Sequence, residues 1–154
     1  MIIEPIYDYD QEAHEAICIL TYNNITFTGT AKCHPDDYDM ENAKTGLAIA
    51  EYRATIKYYQ HIKNNELKPK LDALLQLYYS MNRSKNFNEK SYENYMLWRQ
   101  IQIYKEDLAV VRCSLATLRK NLMDYLRDKD DFYKTIRRNR KANEVIQNKD
   151  KSDQ

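Results

Sequence analysis

Residues 97–125 read LWRQIQIYKEDLAVVRCSLATLRKNLMDY, and they carry the strongest structural pattern of the chain. Its apolar residues recur at alternating steps of four and three, which is the heptad period of a helix that packs along a neighbouring helix. The positions are Leu97, Ile101, Tyr104, Leu108, Val111, Leu115, Leu118, Leu122 and Tyr125. Phe132 and Ile136 extend the register. We therefore predict one helix over residues 91–137, with its seam residues buried.

The segment before this stretch predicts a helical partner of matching length. Its apolar positions recur at helical spacing, and they include Leu47, Ala50, Ala54, Tyr58, Leu67, Leu71, Leu74 and Tyr78. We predict that the helix begins near Asp39, a good N-cap residue, and that Pro69 kinks or restarts it. The two helical segments are expected to run antiparallel, whereas residues 142–154 lose the apolar pattern and are expected to fray.

Residues 16–33 alternate apolar and polar side chains around Asn23 and Asn24, which predicts a β-hairpin. Asn tolerates the positive φ that a tight turn needs. One face of the hairpin carries small and apolar residues, and the opposite face is rich in Thr. The residues of the first face are Ala16, Cys18, Leu20, Tyr22, Ile25, Phe27, Gly29, Ala31 and Cys33. Because two strands alone are marginally stable, a helix should cover this face, and the small Ala50 and Ala54 suit close packing.

Composition agrees with a mainly α fold of the α+β class. The 154 residues include only 2 Gly and 3 Pro, fewer than an all-β fold with many turns needs. We predict a single domain, in which an acidic β-hairpin head over residues 1–42 packs on a long antiparallel helical hairpin with coiled-coil heptads over residues 43–141. Residues 1–15 of the head carry little periodicity, and no strand is predicted there.

Several features favour a cytoplasmic protein. No run approaches the roughly 20 apolar residues of a membrane helix. Residues 1–5 lack the basic start and apolar core of a signal peptide. Cys18, Cys33 and Cys113 are odd in number and show no zinc-type repeat, so we interpret them as reduced thiols.

The net charge of +1 is unevenly distributed. Residues 1–42 hold nine acidic residues and one basic residue, a net charge of −8, and the remainder of the chain carries +9. Such asymmetry is typical of an acidic surface and a basic surface with different partners. The alternative is that the acidic head and the basic arm attract each other or are both solvated.

The histidines and cysteines are the residues that could serve as metal ligands or as catalytic groups. His14, Cys33, His34 and His61 are the candidate zinc ligands, but their spacing matches no common zinc site. In the hairpin register His14 lies opposite Cys33, whereas His34 points to the other face. Adjacent strand residues face opposite ways, so Cys33 and His34 also make a poor nucleophile–base pair. We therefore predict no metal, no cofactor and no catalytic residues, and hence a protein that is not an enzyme.

Four segments carry a resemblance: GTAKCHPDD at 29–37, TGLAIAEYRA at 45–54, NNELKP at 64–69 and LYYSM at 77–81. With them the chain resembles, over most of residues 25–140, small uncharacterised proteins of phages and prophages of low-GC Gram-positive bacteria. The resemblance implies a phage accessory protein that is active in the cytoplasm of a bacterial host cell. Such proteins often bind a host or competitor protein, and some inhibit defence systems. The resemblance transfers no site residues.

Two surfaces are candidate partner sites. Clustered carboxylates after the hairpin suit Arg or Lys of a protein partner, and an exposed tyrosine from each adjacent pair suits an interface; these candidates are Asp36, Asp37, Asp39, Tyr59 and Tyr79. The alternative is a nucleic-acid-binding accessory protein whose basic helix contacts phosphates through Lys134, Arg137, Arg138, Arg140 and Lys141. A homodimer through the helical seam is left open, and no membrane partner is expected.

Overall fold

A three-stranded antiparallel sheet opens the chain in the computed structural model, which describes residues 2–83 and 91–152. Its strands are β1 (Ile2–Asp10), β2 (Glu15–Tyr22) and β3 (Ile25–Lys32), in the order β1-β2-β3. The predicted hairpin is confirmed as β2 and β3, and Asn23 and Asn24 take φ values of 47° and 63° at its tip.

The strand β1 was not predicted from the sequence. It pairs antiparallel with β2, with a register shift between Ile3 and Ile6. A bulge of this kind adds a residue to one strand and interrupts the alternation of its side chains. The acidic residues of this segment further dilute the apolar pattern, which explains why the sequence showed little periodicity here.

The helix α1 (Ala43–His61) covers one face of the sheet, as predicted. Ala50 and Ala54 are fully buried against the strands together with Cys18. The backbones approach so closely that a Cβ on Gly29 would overlap the carbonyl oxygen of Ala50 and lie 2.5 Å from the backbone nitrogen of Ala54. Only a residue without a side chain fits at this point of β3.

The prediction that α1 begins near Asp39 was wrong. Residues Pro35–Met40 form a 3₁₀ turn, and α1 begins at Ala43. Its N-cap is Asn42, whose side-chain oxygen accepts a hydrogen bond from the backbone N–H of Lys44 at 2.9 Å. Asn is as good a cap as Asp, and because Asp39 lies within the 3₁₀ turn, Asn42 takes the cap position.

A π-helical turn joins α1 to the next helix. It spans Ile62–Leu67, and α2 follows over Lys68–Asn82 with Pro69 in its first turn. The backbone N–H of Lys68 bonds to the carbonyl of Lys63, five residues back. Proline has no N–H and clashes with the carbonyl four residues before it in a regular helix, so the wider turn accommodates Pro69. The predicted restart of the helix is confirmed.

The last helix, α3 (Tyr92–Ser152), runs antiparallel to α1 and α2. Its beginning packs on α2, where Ile101 and Leu71 share one buried cluster. Farther along, the Tyr125 ring lies 6.2 Å from that of Tyr52 in α1. The predicted fold class, a mainly α protein with a small sheet on a long antiparallel helical hairpin, is confirmed.

The predicted heptad seam is buried at four of its nine positions and half-buried at the other five. Ile101, Leu108, Val111 and Leu115 are at most 8% exposed. Leu118 is only half-buried. The seam packs on α1 and α2 of the same chain, and a homodimer through it stays a prediction.

The register fails at Phe132, which is 56% exposed, whereas Tyr133 is half-buried. A straight helix drifts by roughly 20° per heptad away from a strict seven-residue repeat, and this drift brings Tyr133 rather than Phe132 to the body of the protein.

The C-terminal arm is longer and more regular than predicted. Residues 142–154 were expected to fray, but α3 continues to Ser152, and every residue from 138 to 152 is exposed. Residues 153–154 lie outside the described part of the chain. Within the described residues, no helix combines the length and the apolar character that crossing a membrane requires.

Candidate functional site

The acidic turn and the basic arm meet in one ion pair. Asp37 is buried in the 3₁₀ turn, and its Oδ1 accepts hydrogen bonds from Nε of Arg137, at 3.0 Å, and from Nη2. The acidic head and the basic arm therefore attract each other at this ion pair, as one interpretation of the charge asymmetry expects. Asp37 is therefore buried against Arg137, and the expectation that it is exposed was wrong; its role in partner binding stays a prediction. The side chains of Asp36 and Asp39 lie outside what the structure describes.

A cavity of about 230 Å³ lies beside this ion pair, between the sheet, the 3₁₀ turn and the start of α1. One wall is a Tyr–Glu–His network, in which Glu41 accepts from the Tyr9 hydroxyl and its Oε2 lies 2.7 Å from Nδ1 of His14. The His14 ring stacks on Tyr38, with centroids 3.6 Å apart and planes 13° apart. The remaining lining residues include Cys33, Asp37 and Tyr133.

The contacts of the network explain its shifted pKa values. Burial, followed by the hydrogen bond to Glu41, raises the pKa of Tyr9 to about 12. The hydrogen bonds from Tyr9 and then His14 lower the pKa of Glu41. Burial, together with the nearby Cys33 and Asp37, raises the pKa of Tyr133. The network is thus held with Tyr9 neutral and Glu41 charged, which is the arrangement that favours its hydrogen bonds.

The predicted opposition of His14 and Cys33 is confirmed, because the backbone N–H of Cys33 donates to the carbonyl of His14 at 2.9 Å. The Cys33 Sγ lies 3.6 Å from the carbonyl oxygen of His34. A carboxylate beside an imidazole is the arrangement that orients a general base, and here it also joins the turn between β1 and β2 to Glu41, which directly follows the 3₁₀ turn. Among the side chains that the structure describes, which exclude those of Asp36 and Asp39, no group of three or more His, Cys, Asp and Glu is placed to hold a metal ion.

A second Tyr–Glu–His cluster lies at the other end of α1, beside the π-helical turn. The Tyr22 hydroxyl donates to Glu66 at 3.1 Å, and Nε2 of His61 lies 3.9 Å from the same carboxylate. His61 also packs on Phe27, with ring centroids 5.3 Å apart. The zinc candidates His14 and His61 are therefore at opposite ends of a 19-residue helix. Sequence spacing gave no indication of either cluster, because the hydrogen bond between His14 and Glu41 and the one between Tyr22 and Glu66 join residues 27 and 44 positions apart.

The two candidate tyrosines lie far from the acidic turn. Tyr59 is half-buried and lines a groove between α1 and α3 with Val110 and Leu118. Tyr79 is 56% exposed near the end of α2. The helical run from Ala43 to Asn82 is roughly 60 Å long at 1.5 Å per residue. The structure therefore does not bring Tyr79 and Asp37 onto one surface.

The basic run on α3 is partly neutralised by carboxylates of the chain itself. Nζ of Lys134 lies 2.7 Å from Asp130, and Arg137 is bonded to Asp37. The other three members of the run, Arg138, Arg140 and Lys141, are exposed on the projecting part of the helix.

The outer face of the sheet, opposite α1, was predicted to be Thr-rich. The structure adds β1 to it, so that Ile6 pairs with Ile19 and Asp8 pairs with Ile17. Among the described helices, only α1 packs extensively on the sheet, and it does so on the other face. Ile6 is 60% exposed. The outer face is thus an isoleucine cluster bordered by threonines on β3 and by acidic residues on β1.

Comparison with known proteins finds no matching family model, no matching curated protein and no matching solved structure. The function is therefore argued from the geometry of the head and the arm.

Proposed function

We propose that this chain is a non-enzymatic phage accessory protein that binds a host or competitor protein in the bacterial cytoplasm and occludes part of its surface. A defence system is the candidate target. The observation that supports the proposal is the outer face of the head sheet. It presents Ile6 on β1 opposite Ile19 on β2, with Ile17 two residues before Ile19 on the same strand, and no described helix covers them. Apolar side chains with a polar and charged border are characteristic of protein interfaces.

The internal contacts of the polar groups support binding rather than catalysis. Both oxygens of Glu41 are engaged by Tyr9 and His14, and Asp37 is engaged by Arg137. The Glu41 contacts join the residue after the 3₁₀ turn to β1 and to His14, and the Asp37 contact joins the turn to α3. The first stiffens the head and the second attaches it to the arm, as a rigid binding surface requires.

A capture experiment with matched surface variants tests the proposal. The tagged protein is incubated with nuclease-treated lysate of a low-GC Gram-positive bacterium, and the retained proteins are quantified. We expect one stoichiometric partner that is lost from the Ile6→Lys, Ile19→Lys double variant. Met123→Lys is the control, because Met123 is 71% exposed on α3, away from the sheet. Equal retention by the double variant and the wild type would contradict the proposal.

Nucleic-acid binding by the arm is the second candidate function, because Arg138, Arg140 and Lys141 are exposed on the projecting helix. Charge reversal must spare Arg137, since that change would also break the ion pair with Asp37. If the alternative holds, the Arg138→Glu, Arg140→Glu, Lys141→Glu variant loses affinity for duplex DNA, and wild-type affinity falls steeply with salt as counterions are released. Under the protein-binding proposal, this variant retains the captured partner.

A further inference from the structure

One backbone hydrogen bond determines which way each residue of the sheet directs its polar groups. The Cys33 N–H donates to the His14 carbonyl, so odd-numbered residues of β3 bond to even-numbered residues of β2. Successive residues of a strand point their N–H and C=O to opposite sides. The odd-numbered residues of β2 therefore make their backbone hydrogen bonds to β1. By the strand register, Ile19 bonds to Ile6 and Ile17 bonds to Asp8.

The outer edge of β3 is already occupied by side chains of α1. Nη1 of Arg53 donates to the carbonyl of Thr30, and Nζ of Lys57 donates to the carbonyl of Thr28, each at 2.6 Å. These carbonyls belong to even-numbered residues, which agrees with the assignment above. Charged side chains across an edge prevent another strand from pairing there.

The outer edge of β1 has no such cover among the described residues. The backbone groups of Tyr7 and Tyr9 point away from β2, because their neighbours Ile6 and Asp8 make the bonds to it. Tyr7 is 45% exposed. Pro5 and the bulge before Ile6 limit pairing at the start of the strand, so the accessible edge is the segment from 6 to 10.

Charge selects the occupant of this edge. Asp8 and Asp10 lie on β1, and Glu4, Glu12 and Glu15 are close to them in the chain, whereas the one basic residue of the head, Lys32, lies on β3. A second copy of β1 would place carboxylates against carboxylates, which is unfavourable for cross-strand pairs. The basic run of another copy is helical in α3 and so is not available as a strand.

We propose that the outer edge of β1, at Tyr7 and Tyr9, binds an extended basic segment of a protein partner by strand addition. The inference rests on the proposed protein-binding function and names the site and the chemistry of the partner. Main-chain hydrogen bonds to Tyr7 and Tyr9 supply affinity, and Lys or Arg at alternate positions pair with the acidic residues of β1.

Amide hydrogen exchange tests the edge directly, with a synthetic peptide that alternates Lys and Val as the probe. In the free protein, we expect the amides of Tyr7 and Tyr9 to exchange much faster than those of Ile6 and Asp8. The peptide should slow exchange at Tyr7 and Tyr9 and leave Ile6 and Asp8 unchanged. Peptide binding without protection of Tyr7 and Tyr9, or no peptide binding at all, would overturn the inference.

Matched variants extend the test. Tyr7→Pro removes the outward N–H and should abolish peptide binding, whereas Tyr7→Phe retains the N–H and should bind as the wild type does. Asp8→Lys should weaken binding about fivefold, the effect of one favourable cross-strand charge pair. Glu106→Lys, an exposed change on α3, should have no effect.

The failure of this inference is distinguishable from failure of the proposed function. If the captured partner depends on Ile6 and Ile19 but the peptide gives no protection at Tyr7 and Tyr9, the outer face binds the partner and the edge does not. If no partner depends on the outer face, the proposed function fails while the exchange pattern of the free protein still reports the edge.

Discussion

The head and the helical hairpin have cores of opposite character. The head core brings backbones together through small residues, with Ala50, Ala54 and Cys18 fully buried around Gly29. The core of the helical hairpin, between α2 and α3, is built from long side chains, with Leu71, Ile101 and Leu108 at its centre. A core of small residues leaves no room for an added atom, whereas a core of large ones is most sensitive to a lost atom. The two regions should therefore respond differently to the same class of substitution.

The largest effect on stability is expected when a buried side chain in the core of the helical hairpin is shortened. Leu108→Ala removes a side chain that is 5% exposed and should lower the free energy of unfolding by about 2–5 kcal/mol, because a cavity replaces buried methyl groups. Chemical denaturation monitored by circular dichroism measures the change. Met123→Ala on the same helix is the control, with an expected change within about 0.5 kcal/mol. An unchanged midpoint for Leu108→Ala would contradict the assigned seam.

The next largest effect on stability is expected when an atom is added to the core of the head. Gly29→Ala places a Cβ against the carbonyl oxygen of Ala50, so α1 must move away from β3, at a cost of about 3 kcal/mol. The same denaturation experiment measures it. Thr30→Ala, an exposed change on the same strand, serves as the control. Equal stability of the Gly29→Ala variant and the wild type would show that the helix-on-sheet contact is looser than described.

The ion pair between the head and the arm should make a smaller contribution. Asp37 is buried but Arg137 is 40% exposed at its side chain, so solvent screens the attraction, and we expect a coupling energy of about 1 kcal/mol. A double-mutant cycle with Asp37→Asn and Arg137→Gln isolates this energy. Strictly additive effects of the two substitutions would mean that the contact does not stabilise the protein.

The smallest expected effect is a pH dependence at Glu41. Its pKa is lowered in the folded protein by hydrogen bonds from Tyr9 and His14. A carboxyl with a lowered folded pKa stabilises the fold above its unfolded pKa, about 4.3, and this contribution is lost as pH falls through the folded pKa. Below about pH 4.3, the wild type should therefore lose more unfolding free energy than Glu41→Gln does. Glu106→Gln, at an exposed position, should follow the wild-type profile, and identical profiles for all three proteins would contradict the network.

Elements with a strong local period could be predicted from the sequence, because each such period records which side of the element faces a core. The hairpin at 16–33, the restart at Pro69 and the seam around Leu108 follow from alternation, from the chemistry of proline and from heptad spacing. The edge strand β1 could not be predicted in this way, since a bulge and acidic side chains interrupt its alternation. The exposure of Phe132 was also not predicted, because the heptad register drifts gradually along a long helix.

The candidate sites depended on contacts between residues far apart in the sequence. Asp37 and Arg137 are 100 positions apart and His14 and Glu41 are 27 positions apart, so there is no local pattern to detect. The periodic elements and the contrast between an acidic head and a basic arm can therefore be predicted from the order of the residues. Which charges neutralise each other, and which edge of the sheet stays open, become visible only in the folded chain. Periodicity reflects burial within one element, whereas an ion pair or a free strand edge depends on how separate elements pack.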